Sequence, residues 1–145
     1  MYARLLLPSL FPNHEFCIYI DVDTMPTIDL HALWNLRETN YLIQGVRRGY
    51  HPYLEALGFD EESIYVNSGV LIMNLNLWRT NNIGQKVINK IFENQSLFFH
   101  PDQDAMNIVC HGYIGVLPPI FNVNPLNPEP NVPGKLTSQL NQDMS

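Results

Sequence analysis

Cations are scarce in this 145-residue sequence: eight Lys and Arg stand against fourteen Asp and Glu, a formal net charge of −6. A chain this poor in basic residues is not built to grip a nucleic-acid backbone, because that grip comes from Lys and Arg displacing counterions. Phosphate chemistry here would need a metal ion to supply the missing positive charge. Cysteine is nearly absent as well. Cys17 and Cys110 lie far apart in apolar settings, which reads as two buried reduced thiols and argues against a disulfide framework or a zinc site. No apolar run approaches the ~18 residues of a membrane span. The leucine-rich opening "MYARLLLPSLF" is cut by Pro8 and does not read as a signal peptide, so the cytoplasm is the expected location. Internal repeats are lacking too.

What is there suits one α/β domain: 46% hydrophobic and 15% charged residues are ordinary for a chain that buries a core. Residues 1–11 read as a short helix ending near Pro8. The continuous apolar run Phe16–Ile20 suits a strand buried on both faces of a parallel sheet. A short helix follows in "TIDLHALWNL", with Asp29 near its start and Leu30, Leu33 and Trp34 on one face. "YLIQGV" reads as a strand and "YHPYLEALGF" as a helix stopping at Gly58. "IYVNSGVLIMNL" is a strand-turn-strand or one bent strand, interrupted at Asn67-Ser68-Gly69. "NNIGQKVINKIFENQ" has Ile83, Val87, Ile88, Ile91 and Phe92 at helical spacing. "DQDAMNIVCHG" places Ala105, Met106, Val109 and Cys110 inward, with Gly112 as its stop. "YIGVLP" is a last strand. Six of the eleven prolines fall between Pro118 and Pro133, so the domain is expected to span 1–124 and to give way to a Pro-rich, polar tail over 125–145.

Three stretches could carry chemistry. Asp21 and Asp23 follow the Phe16–Ile20 strand, and alternate residues of a strand point to one side, so the two carboxylates are expected to converge with Val22 turned away. Two neighbouring carboxylates are costly to bury unless a cation lies between them, and the C-terminal end of such a strand is where open α/β sheets bind ligands. Oxygen ligands point to Mg²⁺, Mn²⁺ or Ca²⁺. The plainer alternative is a solvated strand end in which each Asp caps a turn. Asp102, Gln103 and Asp104 stand at a helix start, where negative charge suits the helix dipole. Asn67-Ser68-Gly69 either expose amide groups at a pocket or form a β-bulge. Trp78 and Arg79 read as packing and capping residues.

Taken in order, "YARLLLPSLFP", "IYIDVDTM", "YVNSGVLIMNLNLWR" and "PDQDAMN" resemble the successive signature segments of family 8 glycosyltransferases, over residues 1–124. The resemblance implies a GT-A fold, a Rossmann-like nucleotide-diphospho-sugar transferase domain, present in part. The family's N-terminal uridine-binding half and its late metal-binding histidine segment have no counterpart, since nothing after His111 matches the latter. It also implies transfer of a hexose from UDP-glucose or UDP-galactose, with retention, to a glycan acceptor such as lipopolysaccharide. By that resemblance Asp21 and Asp23 are the D-x-D metal ligands for Mn²⁺ or Mg²⁺, and Val22 lies between them at the donor. Arg4 reaches the donor. Asn67 and Ser68 line the sugar pocket, and Asp102 and Gln103 lie at the reacting sugar. Because a glutamine amide is a poor nucleophile, unlike the carboxylate of a retaining glycosidase, a front-face substitution is expected. A peripheral position on the inner membrane face and self-association through exposed sheet edges accompany this reading. Two alternatives stand beside it. One is a haloacid-dehalogenase-type phosphatase with Asp21 as nucleophile and Asp23 as acid, for which Lys86, Lys90 and Lys135 lack the companion motifs. The other is a non-catalytic remnant that binds a metal or a partner.

Overall fold

The structure, a computed structural model, describes residues 2–123. The tail expected over 125–145 lies outside the described residues. A 3-10 turn, Tyr2–Leu6, runs into α1 (Leu7–Leu10). The strands are β1 (Phe16–Ile20), β2 (Ile43–Arg47), β3 (Val66–Asn74) and β4 (Ile114–Leu117). The helices α2 (Leu30–Trp34), α3 (Tyr53–Ala56), α4 (Leu75–Thr80), α5 (Ile83–Glu93) and α6 (Pro101–Cys110) fill the connections. The sheet has the order β1-β3-β2-β4; β3 runs antiparallel to both β1 and β2, and β4 parallel to β2.

The strand buried on both faces is therefore β3, not β1. Leu71 and Met73 of β3 pack under α4, α5 and α6, while Val70 and Ile72 meet Leu33 of α2 and Leu117 of β4. β1 has one neighbour among the described strands, pairs antiparallel, and every one of its residues is half-buried. Its apolar run reflects the two small faces it supplies, Cys17 and Tyr19 to one layer and Phe16, Ile18 and Ile20 to the other.

Nor is β3 broken at Asn67-Ser68-Gly69. It continues through them as a bulge: Gly45 of β2 faces Leu71, yet Arg47 faces Val66, which leaves extra residues on β3 without a partner on β2. The helix α5 buries Ile83, Val87 and Ile91, but Phe92 is exposed, as is Leu30 of α2; both stand at the edge of an amphipathic stripe rather than at its centre. Gly58 and Gly112 adopt positive φ, 88° and 82°, and end α3 and α6 as glycines do at left-handed caps. The short α4 was hidden in the sequence because it leaves β3 without a linker. Asn74 caps it by accepting from the Leu77 N–H at 2.9 Å, Trp78 is buried and donates to the Leu42 carbonyl, and Arg79 ties the carbonyls of Pro8, Phe11 and His14. Among the described residues no helix is long and apolar enough to cross a membrane.

Candidate active site

The bulge in β3 creates the site. Ser68 lies in the stretch that β2 does not pair, and buried backbone donors and acceptors must find other partners. Side chains of α6 bond the backbone of β3 at Ser68 and at neighbouring Val66. The Asn107 amide accepts from the Val66 N–H at 2.8 Å and donates to the Val66 carbonyl at 2.9 Å. The Gln103 Oε1 accepts from the Ser68 N–H at 3.0 Å. The Ser68 carbonyl takes Arg4 Nη1 at 2.5 Å. Because only an oxygen can accept from Ser68, the orientation of the Gln103 amide is fixed, and its Nε2 donates to the Tyr65 hydroxyl at 3.0 Å.

Behind Gln103, Asp104 is fully buried and accepts from the hydroxyls of Tyr53 and Tyr65 and from the His100 N–H. An acidic residue that looked like a dipole partner is thus the centre of a buried network. Burial, and then the hydrogen bond to Asp104, raise the phenol pKa of both tyrosines above the ordinary value. A raised folded pKa means that the unfolded chain ionises first. The stabilisation is complete below the unfolded value of 10.0 and is lost as pH climbs from there toward the folded value. We expect unfolding free energy, measured by urea titration between pH 9 and 11.5, to fall above pH 10 by up to ~1.4 kcal/mol per unit for each such tyrosine. Tyr65→Phe should flatten part of that fall.

Arg4, 3% exposed, joins three segments. Besides Ser68, its Nη2 lies 2.9 Å from Asp21 Oδ1 and 3.4 Å from Asp102 Oδ2, and its guanidinium stacks 4.3 Å from the Tyr19 ring centre. Its Nε has no hydrogen-bond partner. Asp21 Oδ1 also accepts from the Tyr19 hydroxyl at 2.6 Å. Asp21 and Asp23 reach the same space, but not as alternate residues of a strand. β1 ends at Ile20, and Asp21–Thr24 close a turn through the Thr24 N–H to the Asp21 carbonyl, 3.1 Å. The Val22 side chain stands fully exposed in that turn.

All eight residues singled out from the sequence, Arg4, Asp21, Val22, Asp23, Asn67, Ser68, Asp102 and Gln103, line one cavity of about 540 Å³. The sequence did not point to Arg48, His100 or Asn122, which line it as well. Asn122 donates to Asn67 Oδ1 at 2.8 Å. Gly69 keeps this wall close: a Cβ would come to 3.0 Å from Asn67 Oδ1 and 3.5 Å from Asp21 Oδ2.

The family model described as "Glycosyl transferase family 8" matches residues 1–141. The chain belongs to glycosyltransferase family 8. Membership removes the phosphatase reading of Asp21. A Haemophilus influenzae protein whose name places it provisionally among the glycosyltransferases is 37% identical over 86% of this chain and 39% of its own length. General stress protein A of Bacillus subtilis is 34% identical over 83% and 44%. Lipopolysaccharide 1,2-glucosyltransferase of Escherichia coli is 27% identical over 84% and 38%. This family 8 chain thus spans less than half the length of these curated relatives. In structure it resembles the galactosyltransferase LgtC, solved with donor and acceptor sugar analogs, at a TM-score of 0.78 and 24% identity; the match covers 84% of this chain and 45% of that one. An active-site variant of LgtC, glutamine replaced by glutamate, matches with a TM-score of 0.80 and 21% identity over 94% and 52%. The mixed α/β sheet is accordingly part of a GT-A domain.

A family 8 site calls for a divalent cation, and the donor set can be tested for it. Among the described residues no three His, Cys, Asp or Glu side chains gather at one point. Asp21 and Asp23 both line the one cavity, and Asp21 keeps Oδ2 outside its bonds to Arg4 and Tyr19. Two carboxylates with open positions fit a hard cation that completes its shell with water and substrate phosphates.

Proposed function

We propose that this chain is the part of a retaining hexosyltransferase that holds the diphosphate and hexose of a UDP-sugar, UDP-glucose or UDP-galactose, for transfer to a glycan acceptor such as lipopolysaccharide. The observation that carries the reading is convergence: residues from four separate segments meet at one polar cavity, in a chain of family 8. The names of the E. coli glucosyltransferase and of LgtC with its sugar analogs support it. Asp21 and Asp23 would hold Mn²⁺ or Mg²⁺, which when bound supplies Lewis-acid stabilisation of the departing UDP. Arg4 orients Asp21 and Asp102 at the donor. Asn67 and the Ser68 backbone shape the sugar pocket.

Gln103 is neutral and already committed to Ser68 and Tyr65, so it orients the sugar rather than attacking it. The acceptor hydroxyl then attacks the anomeric carbon on the face that UDP leaves, and its proton passes to the departing diphosphate oxygen. A cytoplasmic location, with self-association along the exposed edge of β1, belongs to the same proposal. The test is calorimetric titration of the 145-residue chain with UDP. Binding is expected only with Mn²⁺ present, and Asp23→Ala should weaken it at least about tenfold with little change in melting temperature, because Asp23 is exposed. Absence of heat at about 1 mM UDP with Mn²⁺ would remove the donor site from this chain. A covalent glycosyl adduct on Gln103 or Asp102, seen by mass spectrometry, would replace the front-face step by a two-step one.

A further inference from the structure

Beside the main cavity lies a second of about 150 Å³, lined by Arg48, His51, Tyr53, Leu54, Phe99 and His100 among others, and it shares Arg48 and His100 with the first. We propose that this small cavity is an acceptor subsite for a sugar carrying a phosphate or carboxylate, with Arg48 reading the charge and Phe99 giving the ring a stacking surface. The inference rests on the glycosyl-transfer reading above and names the acceptor class for that same site.

Arg48 stands apart from the other arginines. Arg4 is held by Ser68, Asp21 and Asp102, and Arg37 donates to the Trp34 carbonyl. Arg47 donates to the Glu61 and Ser63 carbonyls, and Arg79 to three carbonyls before β1. The Arg48 side chain is half-buried, yet among the described residues its guanidinium makes no hydrogen bond or ion pair. Five N–H donors in a planar fork suit the two oxygens of a phosphate or carboxylate. No carboxylate lines the small cavity. The nearby Asp104 is spent on Tyr53, Tyr65 and the His100 N–H. In a chain with a net charge of −6, a cavity that joins an arginine to two histidines and excludes acids is a local exception that favours an anion.

Arg48 lines both cavities. On the small cavity's side it stands with Tyr53, which packs edge-on against Phe99 at 5.0 Å between ring centres. Phe99 itself is 77% exposed, an apolar surface of the kind that ligand grooves keep in water. The donor's diphosphate has its own partners across the main cavity, Arg4 and the ion that Asp21 and Asp23 would hold. A sugar resting on Phe99 therefore presents its hydroxyls across the shared wall toward Asp102 and Gln103.

The test is NMR titration of the whole ¹⁵N-labelled chain with D-glucose, D-glucose 6-phosphate, D-glucuronate and inorganic phosphate, alongside UDP with Mn²⁺. The two anionic sugars should bind at least about tenfold tighter than glucose and shift resonances around Arg48 and Phe99. Arg48→Gln should bring them to the level of glucose, and Phe99→Ala should weaken all three sugars. Equal binding of charged and neutral sugars, or no saturable binding of either, overturns the proposal. So does inorganic phosphate binding as well as the sugar phosphate, which would mean an adventitious anion only. A parallel loss of UDP binding in Arg48→Gln would assign the guanidinium to the donor instead and equally overturn it. If wild-type chain binds the anionic sugars but not UDP, the donor reading fails while the charged subsite stands.

Discussion

Asp104→Ala is expected to lower the melting temperature by roughly 10–20 °C, although the residue looks like an ordinary acidic helix start. The carboxylate is fully buried and is the acceptor for two phenol hydroxyls and the His100 N–H. Alanine leaves the buried Tyr65 hydroxyl and two part-buried donors, the Tyr53 hydroxyl and the His100 N–H, without their acceptor, at up to about 1–3 kcal/mol each, and opens a void beside Tyr65. Against a total stability of about 5–15 kcal/mol for a domain, a loss near 3–6 kcal/mol populates the unfolded state. Asp104→Asn keeps one acceptor oxygen and the shape, so it should fall between wild type and alanine. Thermal melts monitored by circular dichroism, with urea titrations as a check, give both values. A drop under about 1 kcal/mol for Asp104→Ala would show that the hydroxyls find other acceptors. Tyr65→Phe should cost about 1–2 kcal/mol, and it also removes the acceptor of Gln103 Nε2. The amide of Gln103 would then be held by Ser68 alone.

Local pattern revealed most of the elements, because apolar periodicity is a property of each segment by itself. The helix α5 and the strand β4 were legible for that reason, and so was the N-cap of α2, where Asp29 accepts from the His31 N–H. The sheet's pairing was not, since whether an apolar run is central or at an edge depends on neighbours far along the chain. Five apolar residues in β1 and nine mostly apolar ones in β3 look alike until the order β1-β3-β2-β4 is known. The cavity residues were legible through four motifs in family order, and the geometry brings all of them to one place. What no motif disclosed is how they are held. Asp104 and Asn107 aim inward at partners far along the chain, the hydroxyls of Tyr53 and Tyr65 and the backbone of Val66. Arg48 belongs to no motif: both Arg47 and Arg48 line the main cavity, but only Arg47 spends its guanidinium on the Glu61 and Ser63 carbonyls.

Arg4→Ala should cost about 3–5 kcal/mol, and UDP binding should disappear with it. Among the described residues Arg4 is the one cation placed among Asp21, Asp102 and the Ser68 carbonyl, and all but 3% of it is buried. Taking away one partner of a buried ion pair is expensive chiefly because the other is left charged and unsolvated. Here two carboxylates and a carbonyl would face the same void. Arg4→Lys keeps the charge but not the fork: a single ammonium cannot serve Ser68, Asp21 and Asp102 at the separations of 2.5, 2.9 and 3.4 Å that the guanidinium spans. It should recover less than half of the loss. The desolvation argument makes a sharper demand on the double variant Arg4→Met with Asp102→Asn. Removing the orphaned charge together with its partner should restore stability above that of Arg4→Met alone, a coupling of about 0.5–3 kcal/mol read from urea titrations at constant m. The double variant should remain unable to bind UDP. Stability and donor binding would then part company at one residue, because packing can replace what the guanidinium does for the fold, whereas no apolar side chain can hold Asp21 and Asp102 in place at the cavity.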